Sequence, residues 1–212
     1  MTADRMSDRP VAGQVDFTMM YVAHDAFTRD LGRMIDASTR GDALTPSVRA
    51  GWEMFTKQLH IHHTAEDVAL WPMLRRTVAE PTDEVVLDEM EIEHAQLEPL
   101  LERVDKALAS RDTTTLADTV RVLSTRLIGH MRHEEQAALP LVETYLGPSG
   151  WKAFAGHLRK TQGLRGAAEY LPWLLDHQPE ASQSRVLGIL PPPVRLLYRG
   201  VWTPRYRRTA RW

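Results

Sequence analysis

Two stretches decide the fold: His60-Ile61-His62-His63-Thr64-Ala65-Glu66-Asp67 and His130-Met131-Arg132-His133-Glu134-Glu135. Each contains a His followed four residues later by a Glu. A helix turns once in about 3.6 residues, so His62 and Glu66 share one face, as do His130 and Glu134. Both pairs lie inside apolar stripes, with Phe55, Leu59 and Leu70 around the first and Leu123, Leu127 and Ala138 around the second. Burying a carboxylate with no partner costs several kcal/mol or more, so two core glutamates demand compensation. Isolated His–Glu hydrogen bonds would satisfy one such pair but do not explain a repeat.

Working outward, four helical patterns fill residues 14–146, separated by short breakers. The first carries Phe17, Met20, His24, Phe27, Leu31 and Met34 and stops at Gly41. The second opens with Thr45 as N-cap and Pro46 in the first turn, and continues to Met73. A third begins near Pro81 and carries Leu87, Met90, His94, Leu97, Leu101, Val104 and Leu108. The fourth follows Thr113 to Thr115 and ends before Gly147-Pro148. Pro72, Pro99 and Pro140 should kink helices two to four or end them early. Leu70-Trp71-Pro72 and Leu139-Pro140 stand at one offset from Glu66 and Glu134, an internal echo between helices two and four.

Short connections make neighbouring helices antiparallel, which predicts an all-α, up-down-up-down four-helix bundle. Depth then ties the polar residues together. His24 and His62 lie equally far from the first loop, Glu66 and His94 equally far from the second, and His94 and His130 nearly so from the third. All four helices therefore bring their polar groups to one level. Scattered core histidines have no reason to align in this way.

The totals agree with a metal site built from imidazole and carboxylate. There is no Cys, which excludes disulfides, iron–sulfur clusters and thiolate zinc sites. The remaining ligand types suit iron, manganese or zinc. Apolar residues make up 43% and charged residues 25%, an ordinary globular balance. The net charge of −2 gives no reason to expect a nucleic-acid partner. Met1 to Val15 is polar and has no secretory pattern, and no later apolar run reaches the roughly 20 residues needed to span a bilayer. A cytoplasmic location is the expectation.

The segments His24-Asp25, His60 to Asp67 with Leu70-Trp71-Pro72, Glu93-His94, and His130 to Glu135 with Leu139-Pro140 resemble the haemerythrin-like, HHE cation-binding domain over residues 14–146. The resemblance implies a non-haem di-iron centre. Glu66 and Glu134 would bridge the metals, and His24, His62, His94 and His130 would be terminal ligands. Two features depart from oxygen-carrying members. Met90 and Glu98 flank His94 where a second histidine is expected, and the second carboxylate stands four residues after its His rather than five. A coordination position is thereby left for O2, NO or peroxide. His63, three residues before Glu66, is either a seventh ligand or a neighbour that orients one.

Glu91 and Glu98, at the edge of the His94 stripe, are surface charges or partners that orient His94. Asp67, Glu135 and His133 fall off the stripes and are expected in solvent, and His60, His157 and His177 lack partners at helical spacing. Residues 147–212 are rich in Gly, Pro and Trp and basic after Glu180. They predict short helices and loops packed on one end of the bundle, with a basic tail and a surface for a protein partner. Three functions fit: a binding or sensing module for O2, NO or redox state, an enzyme that removes peroxide or NO, and iron storage.

Overall fold

The computed structural model describes residues 14–212. The polar leader read above therefore lies outside the described residues up to position 13. Among the described residues the fold is all-α. Helices α1 (Thr18–Arg40), α2 (Pro46–Ala65), α4 (Pro81–Ser110) and α5 (Thr113–His133) make up the bundle. Short helices α3 (Trp71–Arg75) and α6 (Leu139–Leu141) extend α2 and α5.

The helix ends follow local chemistry. Gly41 closes α1 in the left-handed conformation, φ 81°, which costs a glycine little. Thr45 is extended before Pro46, although its side chain makes no capping bond. Asp112 caps α5 by accepting from the Thr115 backbone N–H at 3.0 Å, so that helix starts before its threonines rather than after them.

The prolines act differently from one another. α4 runs through Pro99 without a break. At the other two, π-helical turns, Glu66–Leu70 and Glu134–Ala138, begin at the two glutamates and precede the proline-containing α3 and α6. A proline cannot donate to the carbonyl four residues back, so widening the ladder just before it sacrifices little. The echo seen between helices two and four is thus a shared backbone distortion at the core glutamates.

Side-chain pairings run in opposite order along neighbouring helices. On α1 and α2, His24 meets His62 and Phe27 meets Phe55. Glu93 meets His130, and Glu89 meets His133, across α4 and α5.

The apolar interior is divided in two. One cluster holds Phe27, Leu31, Phe55, Leu59, Leu97, Leu123, Leu127 and Trp173. The other holds Met20, Leu70, Trp71, Met90, Ala138 and Leu139. Along every bundle helix the polar residues fall between a member of one cluster and a member of the other: His24 between Met20 and Phe27, His94 between Met90 and Leu97. The polar layer is therefore sealed by apolar packing above and below.

Beyond residue 147 the short pieces expected from composition begin instead with a 28-residue helix, α7 (Gly147–Leu174), broken at Gly163, φ 59°. Pro148 sits in the first turn, where a missing donor costs nothing, whereas Pro172 lies inside the helix and removes one bond of its ladder. Three shorter helices follow: α8 (Glu180–Ile189), α9 (Pro192–Leu197) and α10 (Thr203–Arg207). This segment does not merely sit on one end of the bundle. Trp173 is fully buried, with its ring 5.0 Å from Phe27, and Trp212 in the tail donates its backbone N–H to Ser47 at 3.1 Å. No described helix is long and apolar enough to cross a membrane.

Candidate metal centre

All seven candidate residues converge at the polar layer. Two groups form there, one of His24, His62 and Glu134 and one of His63, His94 and His130. Within each group one ligand atom per residue lies within 4.8 Å of the others. Glu66 joins them, with Oε1 3.1 Å from His62 Nε2 and Oε2 3.6 Å from His94 Nε2. On the far side Glu134 Oε2 is 3.1 Å from His24 Nε2.

The imidazole nitrogens converge in pairs. The Nε2 atoms of His24 and His62 are 3.3 Å apart, and those of His94 and His130 are 3.0 Å apart. Two imidazole nitrogens about 2.1 Å from one ion lie roughly 3.0–3.4 Å from each other, so these spacings suit a shared cation. His63 stacks on His94 with ring centroids 4.0 Å apart, and reaches the same group.

The outward nitrogens are held by carboxylates. His24 Nδ1 donates to Glu135 at 2.9 Å, His94 Nδ1 to Asp67 at 2.8 Å, and His130 Nδ1 to Glu93 at 2.8 Å. For His94 and His130 the bond places the proton on Nδ1 and leaves the Nε2 lone pair facing inward. Carboxylate partners of this kind orient metal-binding histidines and raise their basicity.

Three expectations change here. Asp67 and Glu135, assigned to solvent, bind ligand candidates, because the π turn starting at the preceding glutamate removes them from plain α spacing. Glu91 and Glu98 do not orient His94, since its Nδ1 is already taken. Glu91 pairs with Arg75 at 3.0 Å, and Glu98 is exposed. His133 is only partly solvated, donating to the second oxygen of Glu93 at 2.9 Å. Glu93 itself was quoted only as a neighbour of His94. The sequence signal that finds it is its position four residues from Glu89 on the α4 face opposite His130 and His133. His60, His157 and His177 are exposed.

The electrostatics of the layer follow from burial and charge pairing. Burial pulls His24 down, but the Glu134 carboxylate and Glu135 outweigh it and raise the imidazole to about 9. Burial likewise opposes ionisation of Glu134, yet His24 holds it down at about 2. These two form an ion pair. Glu66 has no such partner: burial, then the Glu134 charge, push it well above the carboxylate range. Burial and the His24 charge keep His62 neutral, at about 3, and burial also lowers His63 and His130. Four oxygens, both of Glu66 and both of Glu134, are buried without a hydrogen bond. The 3.1 Å contact between His62 Nε2 and Glu66 is thus close in distance but not aligned as a hydrogen bond. Buried carboxylates are rarely left this way unless a cation is to be bound.

These features define a helical-bundle protein with an imidazole–carboxylate cation site. The sequence profile of the hemerythrin HHE cation binding domain matches residues 15–142, the greater part of the chain, and the protein belongs to that family. No curated protein and no solved structure matches it.

Proposed function

We propose that the chain holds two non-haem iron ions, and that the pair binds O2, NO or peroxide as a sensing or binding module. The observation that carries this reading is the set of four buried, unbonded oxygens on Glu66 and Glu134, lying between two groups of inward-facing imidazoles. Each carboxylate offers two oxygens, enough to bridge two cations. His24 and His62 would serve one ion, and His63, His94 and His130 the other. Bound iron supplies a redox-active Lewis acid. The chain's own part is to hold it: Asp67, Glu93 and Glu135 fix the imidazoles, and the two apolar clusters exclude bulk water. Manganese or zinc could occupy the same ligands, and zinc would remove redox function. The segment beyond 147 offers a surface for a protein partner that reads the bound state.

An alternative, a peroxide- or NO-removing enzyme, has one observation in its favour. From His130 a hydrogen-bonded chain runs through Glu93 to His133, which is a third exposed on its side chain, and on toward Glu89 at 3.6 Å. It connects the layer to solvent and can carry protons. Iron storage, the third reading, needs only an exchangeable pair. Anaerobic iron loading, followed by optical spectra on adding O2, peroxide and NO, separates them. About two irons per chain with a stable adduct band supports binding or sensing. Rapid peroxide loss that vanishes in Glu93→Gln supports the enzyme. Less than one iron per chain sinks the metal reading.

A further inference from the structure

The family match ends at residue 142, and beyond Glu180 every charged side chain is an arginine, in a chain of net charge −2. These arginines are not equivalent. Arg195 is spent inside the fold, donating from Nε to the Leu190 carbonyl at 2.7 Å and from its guanidinium to the Gly188 carbonyl at 3.0 Å. Arg211 lies over the Tyr206 ring, 4.2 Å from its centroid, and donates to the Tyr206 carbonyl at 2.9 Å. Arg185 approaches Asp16 at 4.0 Å. The others, Arg199, Arg205, Arg207 and Arg208, are exposed and form no ion pair among the described residues.

These exposed arginines ride on one continuous helical run made of α9, a π turn over Tyr198–Trp202, and α10. The run packs against α7. Its inward face is Val194, Tyr198, Trp202 and Tyr206; Tyr198 and Trp202 are buried in the cluster that contains Phe27 and Trp173, and the other two pack against it. In a plain α-helix, residues four apart drift by about 40° around the axis. The wider π turn, where the Thr203 N–H donates to the Tyr198 carbonyl, takes back part of that drift and keeps the inward row straight. The opposite face is kept straight with it, and its centre is apolar. Leu196, Leu197 and Val201 are 72%, 37% and 53% exposed there, in register with exposed Gly200 and Pro204. By helical position, Arg199 and Arg207 flank one side of this strip, and Arg205 and Arg208 the other.

We propose that this face docks on the surface of an anionic phospholipid bilayer, with the helical run lying in the interfacial plane. Leu196, Leu197 and Val201 enter the boundary between headgroups and acyl chains, while the flanking arginines meet lipid phosphates. The apolar strip decides the occupant. Arginines alone suit any polyanion, but a nucleic-acid backbone gives Leu196 and Val201 no apolar layer to enter. The whole chain is slightly acidic, so the attraction belongs to this face and acts within a Debye length of it. Tyr198 and Trp202 already hold the run helical against the bundle, which leaves little ordering to be done on binding. Nothing in this inference depends on the metal reading.

The test is co-sedimentation of the full chain with vesicles of phosphatidylcholine alone and with vesicles that also contain phosphatidylglycerol. Binding is expected on the anionic vesicles and should weaken as salt rises. Arg199→Gln combined with Arg207→Gln should lower the partition coefficient roughly 30-fold, about fivefold for each arginine. Leu196→Ser combined with Val201→Ser keeps every charge and should still lower it at least about tenfold. All of these side chains are exposed, and an unchanged circular dichroism spectrum and melting temperature show that each variant is folded. No binding to anionic vesicles, or equal binding to neutral ones, would overturn the proposal. So would a Leu196→Ser, Val201→Ser variant that binds vesicles as the wild type does. Tight binding to a short DNA duplex with none to vesicles would also overturn it, and would assign the arginines to nucleic acid.

Discussion

Replacing Glu66 with Gln should make the metal-free protein more stable and the metal-loaded protein less so. In the absence of metal, Glu66 sits fully buried beside the His24–Glu134 ion pair, both of its oxygens lack hydrogen bonds, and its pKa is raised by burial and by Glu134. A buried polar group without partners costs about 1–3 kcal/mol by mutational measures. Gln has the same shape, carries no charge, and its amide nitrogen, placed where Oε1 stands, can donate toward His62 Nε2 at 3.1 Å. In chelator, Glu66→Gln should therefore melt roughly 2–12 °C above the wild type, at 2–4 °C per kcal/mol for a chain of this size. The sign follows from linkage. A carboxyl raised in the folded state contributes its stability below the unfolded pKa and loses it as pH rises toward the folded value. The gap between the two proteins should thus grow as pH rises above about 4.5 and close below it. With iron the order should invert: metal at one hundred times its Kd stabilises by about 2.7 kcal/mol per site, and Gln is a poor bridge. Thermal unfolding followed by circular dichroism, with chelator and with anaerobic Fe(II), reads both arms. A variant less stable than wild type in chelator would refute the reasoning, because it would mean that Glu66 is already satisfied without a cation.

Other consequences can be checked alongside. Asp67→Asn or Glu135→Gln should weaken iron binding by roughly 10–100-fold through loss of the histidine partner, while Glu91→Gln and Glu98→Gln leave it unchanged; competition against a chelator measures this. The metal-free protein should lose stability on both sides of neutrality. His24, raised to about 9, loses its contribution as pH climbs from 6.5 to 9; His62, lowered to about 3, loses its own as pH falls from 6.5 to 3. Urea denaturation across that range follows both limbs. Trp173→Phe removes the 2.8 Å donor to buried Asp30 and should cost about 1–3 kcal/mol in urea unfolding.

The sequence carried the level of the site because helix geometry is rigid. Equal offsets from three loops placed His24, His62, His94 and His130 together, and the structure brings them together. The flanking core was equally readable, since Met20, Phe27, Met90 and Leu97 keep the apolar period on either side of the histidines. Asp67 and Glu135 were not readable, because plain α spacing sends them to solvent and nothing in the residues announces a π turn at the preceding glutamate. The prolines six residues on were the available cue, read only as kinks. Glu93 was missed for a related reason: its partner His130 lies on another helix, and cross-helix pairs depend on rotation angles that a one-dimensional pattern leaves undetermined. α7 was read as short pieces because Gly, Pro and Trp become frequent beyond the bundle. Most of those glycines tolerate helix when packing against Phe27 and Asp30 rewards it, and only Gly163 breaks the run.

The most direct test of the central claim is anomalous diffraction at the iron edge from crystals of the anaerobically loaded protein. Two peaks roughly 3.5–4 Å apart are predicted, one among His24, His62 and Glu134 and one among His63, His94 and His130, with Glu66 touching both. A single peak, or iron bound away from the two glutamates, would contradict the account.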